Sequence, residues 1–105
     1  MGMVKEHLLK MRELLADSNC WTQGDYARDD SGKSCGIMSP AAKKWCLRGA
    51  SWRVGGIIFG DILCTARTLG FHTDRAIVVW NDAPGRTHAE VLARIDAALE
   101  HEMKS

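Results

Sequence analysis

The spacing of apolar residues near the start of the chain predicts an amphipathic helix over residues 3–18. Apolar residues recur every three or four positions at Val4, Leu8, Met11 and Leu15. This spacing places them on one face of a helix, where they can pack against a core, while charged residues fill the other faces. The helix is expected to end at residues 17–19, whose polar side chains compete for backbone hydrogen bonds.

The next segment, residues 20–38, has no helical spacing and is rich in glycine and small polar residues. Residues 29–32, with the sequence Asp-Asp-Ser-Gly, have the composition of a turn. Such a turn would reverse the chain between residues 26–28 and 33–35 and form a short hairpin. We therefore expect irregular structure with a possible hairpin, anchored to the core by Trp21 and Tyr26.

Ser39 followed by Pro40 is typical of a helix start, because proline lacks the amide hydrogen that would be unpaired there. The sequence therefore predicts a second helix from this point. It would contain Ala41, Ala42, Trp45, Cys46, Gly49, Ala50 and Trp52, and the glycines at residues 55–56 would end or break it.

A third helix is predicted over residues 57–69, where apolar residues again have helical spacing and Gly70 follows as a C-terminal cap. The apolar run at residues 76–80 is ambiguous, because its β-branched residues also suit a strand. No second strong strand is available to pair with it. We therefore interpret it as a short helix opened by Thr73 and Asp74.

Thr87 and Glu90 have the spacing of a capping box, in which a hydroxyl and a carboxylate bind opposite backbone amides at a helix start. Apolar residues with helical spacing follow, so a last helix is expected to run to about His101. Residues 83–85, with the sequence Ala-Pro-Gly, supply the preceding turn.

These elements predict a mainly α-helical fold: one small bundle of about four to five helices, with an irregular loop or short hairpin after the first helix. A chain of 105 residues has room for one core, so a single domain is expected over residues 1–105. Apolar residues make up 46% and charged residues 26%, as in ordinary globular proteins.

Fourteen basic and thirteen acidic residues leave a net charge of +1, which provides no global attraction to nucleic acid or anionic membranes. The first residues lack the apolar stretch of an export signal, and no apolar run approaches the roughly 20 residues of a membrane-spanning helix. We expect a cytoplasmic protein whose four cysteines are thiols.

Three stretches resemble a family of short bacterial and bacteriophage proteins that carry a domain of unknown function. They are CWTQGDYARDDSGKS at residues 20–34, AAKKWCLRGA at 41–50 and WNDAPGRTHAEVLARID at 80–96. The resemblance implies a mostly helical fold and no established activity. It draws attention to Trp21, Gly24, Arg28, Asp29, Trp45, Cys46, Asn81, Asp82, Arg86 and Thr87. The residues after Ala50 depart from the alanine-rich helix of similar proteins.

Metal and cofactor sites find little support in the sequence. The SGKS stretch at residues 31–34 lacks the first glycine of a phosphate loop, because Ala27 stands there. The aspartates near it lack calcium-loop spacing. No close cysteine or histidine pair suggests zinc, and these residues could converge only through the fold. We expect no metal and no cofactor.

A catalytic site is a weaker interpretation than a binding site. Cys46 or Cys20 could pair with His88 and with Asn81 or Asp82, which are the residue types that activate a thiol. No local signature fixes their geometry, so we expect a non-enzymatic protein.

The candidate binding residues are Arg28, Asp29, Trp52, Asn81, Asp82 and Arg86. If the loop after the first helix packs on the turn before the last, arginine–carboxylate pairs could clamp the two segments together. The same residues could instead line a polar groove for a small ligand or peptide. Trp52 would lie beside a basic helix side formed by Lys43, Lys44, Arg48 and Arg53, either as a stacking platform for bases or as an anchor for a protein partner.

The preferred hypothesis is a small accessory or regulatory factor, related to phage biology, that binds another macromolecule, with a protein favoured over nucleic acid and no membrane contact expected. The alternative is a small enzyme or ligand-binding protein that uses Asn81, Asp82 and Arg86. The sequence leaves the oligomeric state open.

Overall fold

Four helices and a two-stranded sheet form the part of the chain that the computed structural model describes, residues 2–55, 66–67 and 69–104. The helices are α1 (Gly2–Leu14), α2 (Leu47–Gly55), α3 (Asp74–Asn81) and α4 (His88–Lys104). The strands are β1 (Ala27–Asp29) and β2 (Ala42–Trp45). The predicted mainly α-helical class is confirmed. The helix predicted over 57–69 falls largely outside the described residues.

The core forms where α1 packs against α2 and α4. Leu8, Met11 and Leu15 are fully buried, and the apolar spacing of the sequence placed all three on this face. From α4, Val91 and Ile95 are buried against the same core. The first helix ends at Leu14 rather than at residue 18, and a 3-10 turn follows at Ser18–Cys20.

The predicted turn at residues 29–32 is confirmed. The Asp29 amide donates to the Lys33 carbonyl at 2.8 Å, and the Gly32 amide donates to the Asp29 carbonyl at 3.0 Å. Gly32 has φ of +89°, a conformation that L-residues rarely adopt. The reversal brings Ser34 beside Arg28 in an antiparallel bridge, so a short hairpin forms here.

The helix predicted to begin at Ser39 is wrong, because residues 42–45 form β2. This strand pairs antiparallel with β1, with Ala27 opposite Trp45. The capping chemistry of Ser39 is nevertheless present: its hydroxyl accepts from the Ala41 amide at 3.1 Å and its carbonyl accepts from the Ala42 amide at 3.1 Å. These bonds close a single turn. The chain then extends along β1 instead of continuing as a helix.

The second helix therefore starts at Leu47, and Gly49 packs it directly against the loop before β1. A Cβ atom at Gly49 would overlap the backbone carbonyl of Tyr26. Only glycine allows the two backbones this close an approach. The loop and α2 are thus fixed to each other by a backbone contact.

The predicted basic helix side is also wrong, since its residues are divided between two elements. Lys43 and Lys44 lie on β2, whereas Arg48 and Arg53 lie on α2. The Arg53 guanidinium donates to the carbonyls of Ile37 and Ser39, both at 3.0 Å. Its charge therefore serves to hold the loop before β2.

The run at residues 76–80 is helical, as predicted, and lies in α3. Thr73 caps this helix, because its hydroxyl accepts from the Ala76 amide at 3.1 Å. The capping box at the start of α4 is also confirmed: the Thr87 amide donates to a Glu90 carboxylate oxygen at 2.9 Å, and the Glu90 amide donates to the Thr87 hydroxyl at 3.2 Å. The last helix extends to Lys104, beyond the predicted end at His101.

Candidate functional site

Asn81, at the end of α3, is a fully buried polar residue that joins three parts of the chain. Its side-chain oxygen accepts from the Trp21 indole at 2.7 Å and from the Leu47 amide at 3.0 Å. Its side-chain nitrogen donates to the Thr22 carbonyl at 3.1 Å and to an Asp82 carboxylate oxygen at 3.0 Å. A side-chain amide has two donor hydrogens and two acceptor lone pairs, so these four bonds use its full capacity.

The loop at residues 21–24 lies along the end of α3, and we call this contact the Asn81 seam. The Gln23 side chain donates to the carbonyls of Asn81 and Ala83 at 2.8 and 3.1 Å. The Gly24 amide donates to an Asp82 carboxylate oxygen at 3.0 Å. The loop after α1 therefore does pack on the turn before α4.

The arginine–carboxylate clamp suggested by the sequence is wrong, because the contacts described across the seam are hydrogen bonds donated by indole and amide groups and not ion pairs with arginine. Arg28 forms its ion pair with Asp25 of the same loop, at 2.8 Å. Arg86 contacts Glu90, four residues further along, at 3.3 Å. Each arginine therefore pairs within its own segment.

Asp29 faces its own turn and not the seam. One carboxylate oxygen accepts from the Ser31 hydroxyl at 2.7 Å, the Ser31 amide at 2.9 Å and the Lys33 amide at 3.0 Å. The Ser31 hydroxyl is the main cause of a lowered Asp29 pKa, and the amide bonds act in the same direction. This carboxylate stabilises the hairpin turn.

A half-open cleft of about 270 Å³ lies beside the seam and is lined by Gly24, Asp25, Tyr26, Cys46, Val78 and Asp82. Cys46 is buried, and its sulfur accepts a hydrogen bond from the Gly49 amide at 3.2 Å. Burial is the main cause of a raised Cys46 pKa, to which the nearby Asp82 charge also contributes. The thiol is therefore neutral at physiological pH and a weak nucleophile.

His88 is bound to the backbone of another segment through one of its two ring nitrogens. Its Nε2 atom forms a 2.6 Å hydrogen bond with the Leu15 carbonyl, and its ring lies 6.3 Å from that of Trp21. With Asn81 saturated as well, the amide and imidazole of the suggested catalytic group already have structural partners. The geometry therefore gives no support to the enzyme alternative.

Neither a metal cluster nor a membrane-spanning element is found in the described ranges. Within residues 2–55, 66–67 and 69–104, no three histidine, cysteine, aspartate or glutamate side chains are placed to hold an ion. The helices in the same ranges are too short or too polar to cross a bilayer. Of the predicted thiols, Cys20, Cys35 and Cys46 are free cysteines, and Cys64 lies outside the described residues.

A second concave surface, which we call the α3 groove, lies on the outer face of α3. It measures about 610 Å³ and is lined by Phe71, Thr73, Arg75, Ala76, Val79, Trp80, Ala83 and Arg86. Val79 is 63% exposed, although Ile77 of the same helix is only 2% exposed. The helix thus presents an apolar face to the core and another to solvent.

Two aromatic rings form the floor of the α3 groove, and arginines hold them in place. Phe71 and Trp80 meet edge to face, with 5.9 Å between ring centroids. The Arg86 guanidinium lies 4.0 Å from the Trp80 centroid, and its Nε donates to the Trp80 carbonyl at 2.9 Å. The Arg94 guanidinium lies 4.6 Å from the Phe71 centroid and donates to the Leu69 carbonyl at 2.7 Å. The two rings are therefore held by contacts within the chain itself.

A model of a family of unknown function, DUF6197, matches residues 2–101. The chain belongs to this family. No curated protein and no solved structure matches it. The match spans nearly the whole chain, and it confirms the resemblance at the level of a family without an assigned activity.

The structure distributes the predicted binding residues of this DUF6197 chain over four places. Asn81 and Asp82 lie at the seam, and Arg28 and Asp29 lie in the loop and hairpin. Trp52 is half-buried on α2, with the Arg48 guanidinium 4.9 Å from its ring centroid. Only Arg86 lies in the α3 groove.

Two residues of the α3 groove were not predicted from the sequence, the buried Phe71 and the exposed Val79. One signal could have found Val79: residues 76–80 are five consecutive apolar residues, and a short helix buries only one face. At least one of them must therefore face water.

Proposed function

We propose that this DUF6197 chain is a small accessory or regulatory factor that binds another protein through the α3 groove. The resemblance to short bacterial and bacteriophage proteins supports a role in bacterial or phage biology, in the cytoplasm of the bacterial cell. The observation that carries the proposal is the exposed Val79 beside the edge-to-face ring pair of Phe71 and Trp80.

The energetics of this surface favour a protein partner. Burying an exposed valine against an apolar surface contributes about 1.5–3 kcal/mol. Tryptophan and arginine are the side chains most enriched among the residues that dominate protein interfaces, and Trp80 and Arg86 lie together here. Because the floor is already ordered, binding loses little side-chain entropy.

The saturation of the polar side chains supports a non-catalytic role. Asn81 has no hydrogen-bonding capacity left, the pKa of the Cys46 thiol is raised, and His88 is bound to a backbone carbonyl. General acid–base or nucleophilic catalysis requires such groups to reach a substrate.

A site-specific photo-crosslinker tests the proposal. A benzophenone amino acid at position 79 is expected to form a covalent adduct with a distinct protein in cells of the native host. The matched control carries the same group at Met38, which is 59% exposed and lies in the loop before β2. The proposal is contradicted if position 79 gives no adduct beyond those of position 38.

A captured protein must then be shown to bind the groove. The purified partner is expected to bind the wild-type chain and to bind the Val79→Asp variant at least about tenfold more weakly, because a carboxylate would be buried against apolar surface. Met38→Asp should leave the affinity unchanged. Equal affinity of the wild-type and Val79→Asp chains would refute a role for the groove.

A further inference from the structure

We infer that the α3 groove takes an acidic peptide segment, in which a large apolar side chain is flanked by carboxylates. This inference rests on the proposed function and specifies the chemistry of the partner. It follows from the two arginines beside the apolar floor and from the hydrogen-bond donors of their guanidinium groups, which a partner can reach.

Among the described residues, the lining of the α3 groove includes two arginines and no carboxylate, and Glu90 contacts one of these arginines, Arg86, from outside the lining. The whole chain has a net charge of only +1, so this local excess is a property of the groove and not of the protein surface in general. A partner with carboxylates beside its apolar residue would therefore be favoured, and a basic one repelled.

The two arginines lie at opposite ends of the apolar centre. Arg75 is one helical turn before Val79 and on the same face of α3, since residues four apart in a helix are neighbours. Arg86 follows the end of α3 and stacks on Trp80. A segment that places its apolar side chain on the floor thus meets a cation on either side.

Both guanidinium groups have donors for a partner carboxylate. Arg75 is exposed, and none of the contacts described for residues 2–55, 66–67 and 69–104 involves its guanidinium. Arg86 uses Nε on a backbone carbonyl and Nη1 on Glu90 at 3.3 Å, a long and half-exposed contact. Exposed pairs of this kind are weak, so a partner carboxylate can compete with Glu90.

A peptide fits these features better than a nucleic acid. Nucleic-acid binding draws its affinity from many phosphate contacts along an extended basic surface. The groove has two cations around an apolar floor. The exposed apolar side chain of Val79 would form no favourable contact with a charged phosphate backbone. Apolar contacts with charged residues at the rim are the usual anatomy of a protein interface.

Selection from a library of short random peptides displayed on messenger RNA tests the inference on the full chain. The expected winners carry aspartate or glutamate on both sides of one large apolar residue. For a synthetic winner, Arg75→Glu should weaken binding about tenfold, because an attraction becomes a repulsion. The matched control Lys5→Glu reverses an exposed charge on α1 and should change the affinity less than about twofold.

The outcomes separate this inference from the function on which it rests. If Val79→Asp abolishes peptide binding but Arg75→Glu does not, the groove binds proteins and the acidic partner is wrong. If neither substitution matters, both proposals fail. If a labelled single-stranded oligonucleotide binds and Arg75→Glu removes that binding, the ligand is a nucleic acid, and the acidic peptide is wrong as well.

Discussion

The Asn81 seam and the α3 groove are formed by the same eight-residue helix, yet they use its side chains in opposite ways. At the seam every donor and acceptor of Asn81 has a partner from this chain. In the groove the apolar Val79 has its side chain mostly in water. The contrast shows that polar side chains are not by themselves the mark of a functional site. Here they hold the fold, and the open surface is apolar.

The largest effect on stability is expected when Asn81, the central residue of the seam, is replaced. Asn81→Ala should lower the free energy of unfolding by about 3–5 kcal/mol, because the Trp21 indole, the Leu47 amide and the Thr22 carbonyl lose their buried partner. Urea unfolding followed by circular dichroism measures this loss. Asn19→Ala, at an exposed position, is the matched control. A loss equal to that of the control would show that the seam does not hold the fold.

A smaller effect is expected at the capping box of α4, whose Glu90 contacts Arg86 of the α3 groove. The pKa of Glu90 is lowered chiefly by the Thr87 amide, with the Thr87 hydroxyl and Arg86 acting in the same direction. A lowered carboxyl pKa stabilises the folded state fully above the ordinary value of 4.5, and this contribution is lost as the pH falls through the lowered value.

The corresponding variant is Glu90→Gln, compared with the wild type by urea unfolding across a range of pH. The wild type should be more stable at neutral pH, and the difference should shrink as the pH falls below 4.5. A difference that stays constant down to about pH 3 would contradict an ionised carboxylate at the cap.

The smallest effect on stability is expected in the α3 groove. Val79→Ala should change the free energy of unfolding by no more than about 0.5 kcal/mol, because the side chain is mostly exposed. Ile77→Ala, two residues earlier and buried, should cost about 3 kcal/mol. Thermal or urea unfolding of the pair gives both values. Similar losses at the two positions would mean that the outer face also belongs to the core.

The parts of the fold that the sequence predicted correctly are those with local causes. The apolar spacing of α1, the Thr73 cap of α3 and the Thr87–Glu90 capping box all act within a few residues. The hairpin turn at residues 29–32 is equally local. Interactions over such short separations depend on residue type and spacing, which can be read directly from the sequence.

β2 was missed because its cause is not local. Residues 41–45 follow a helix-start signature, and alanine and lysine favour helices. What makes them a strand is pairing with β1, whose residues lie between 13 positions earlier, for Asp29 opposite Ala42, and 18 positions earlier, for Ala27 opposite Trp45. Tertiary contacts of this kind override weak local preferences, and no pattern within the segment reveals them.

The candidate site was predicted only in part for the same reason. The sequence drew attention to Asn81, Asp82 and Arg86 and suggested that the two irregular segments meet, which they do. The sequence did not show which side chains face each other across this contact. They form hydrogen bonds from the Trp21 indole and the Gln23 side-chain amide to Asn81, and not the ion pairs that were predicted. Val79 and Phe71 carried no polar signal, although the unbroken apolar run of α3 implied an exposed position.

The seam also has a consequence for the order in which the chain folds. The bond from the Trp21 indole to Asn81 spans 60 residues, and that from Leu47 to Asn81 spans 34. Closing such distant contacts requires a large loss of chain entropy, and proteins that depend on them fold more slowly than those built from local contacts. As the chain emerges from the ribosome, the loop after α1 therefore cannot form the hydrogen bonds of the seam until α3 has been synthesised. Until then the polar groups of this loop are hydrogen-bonded to water.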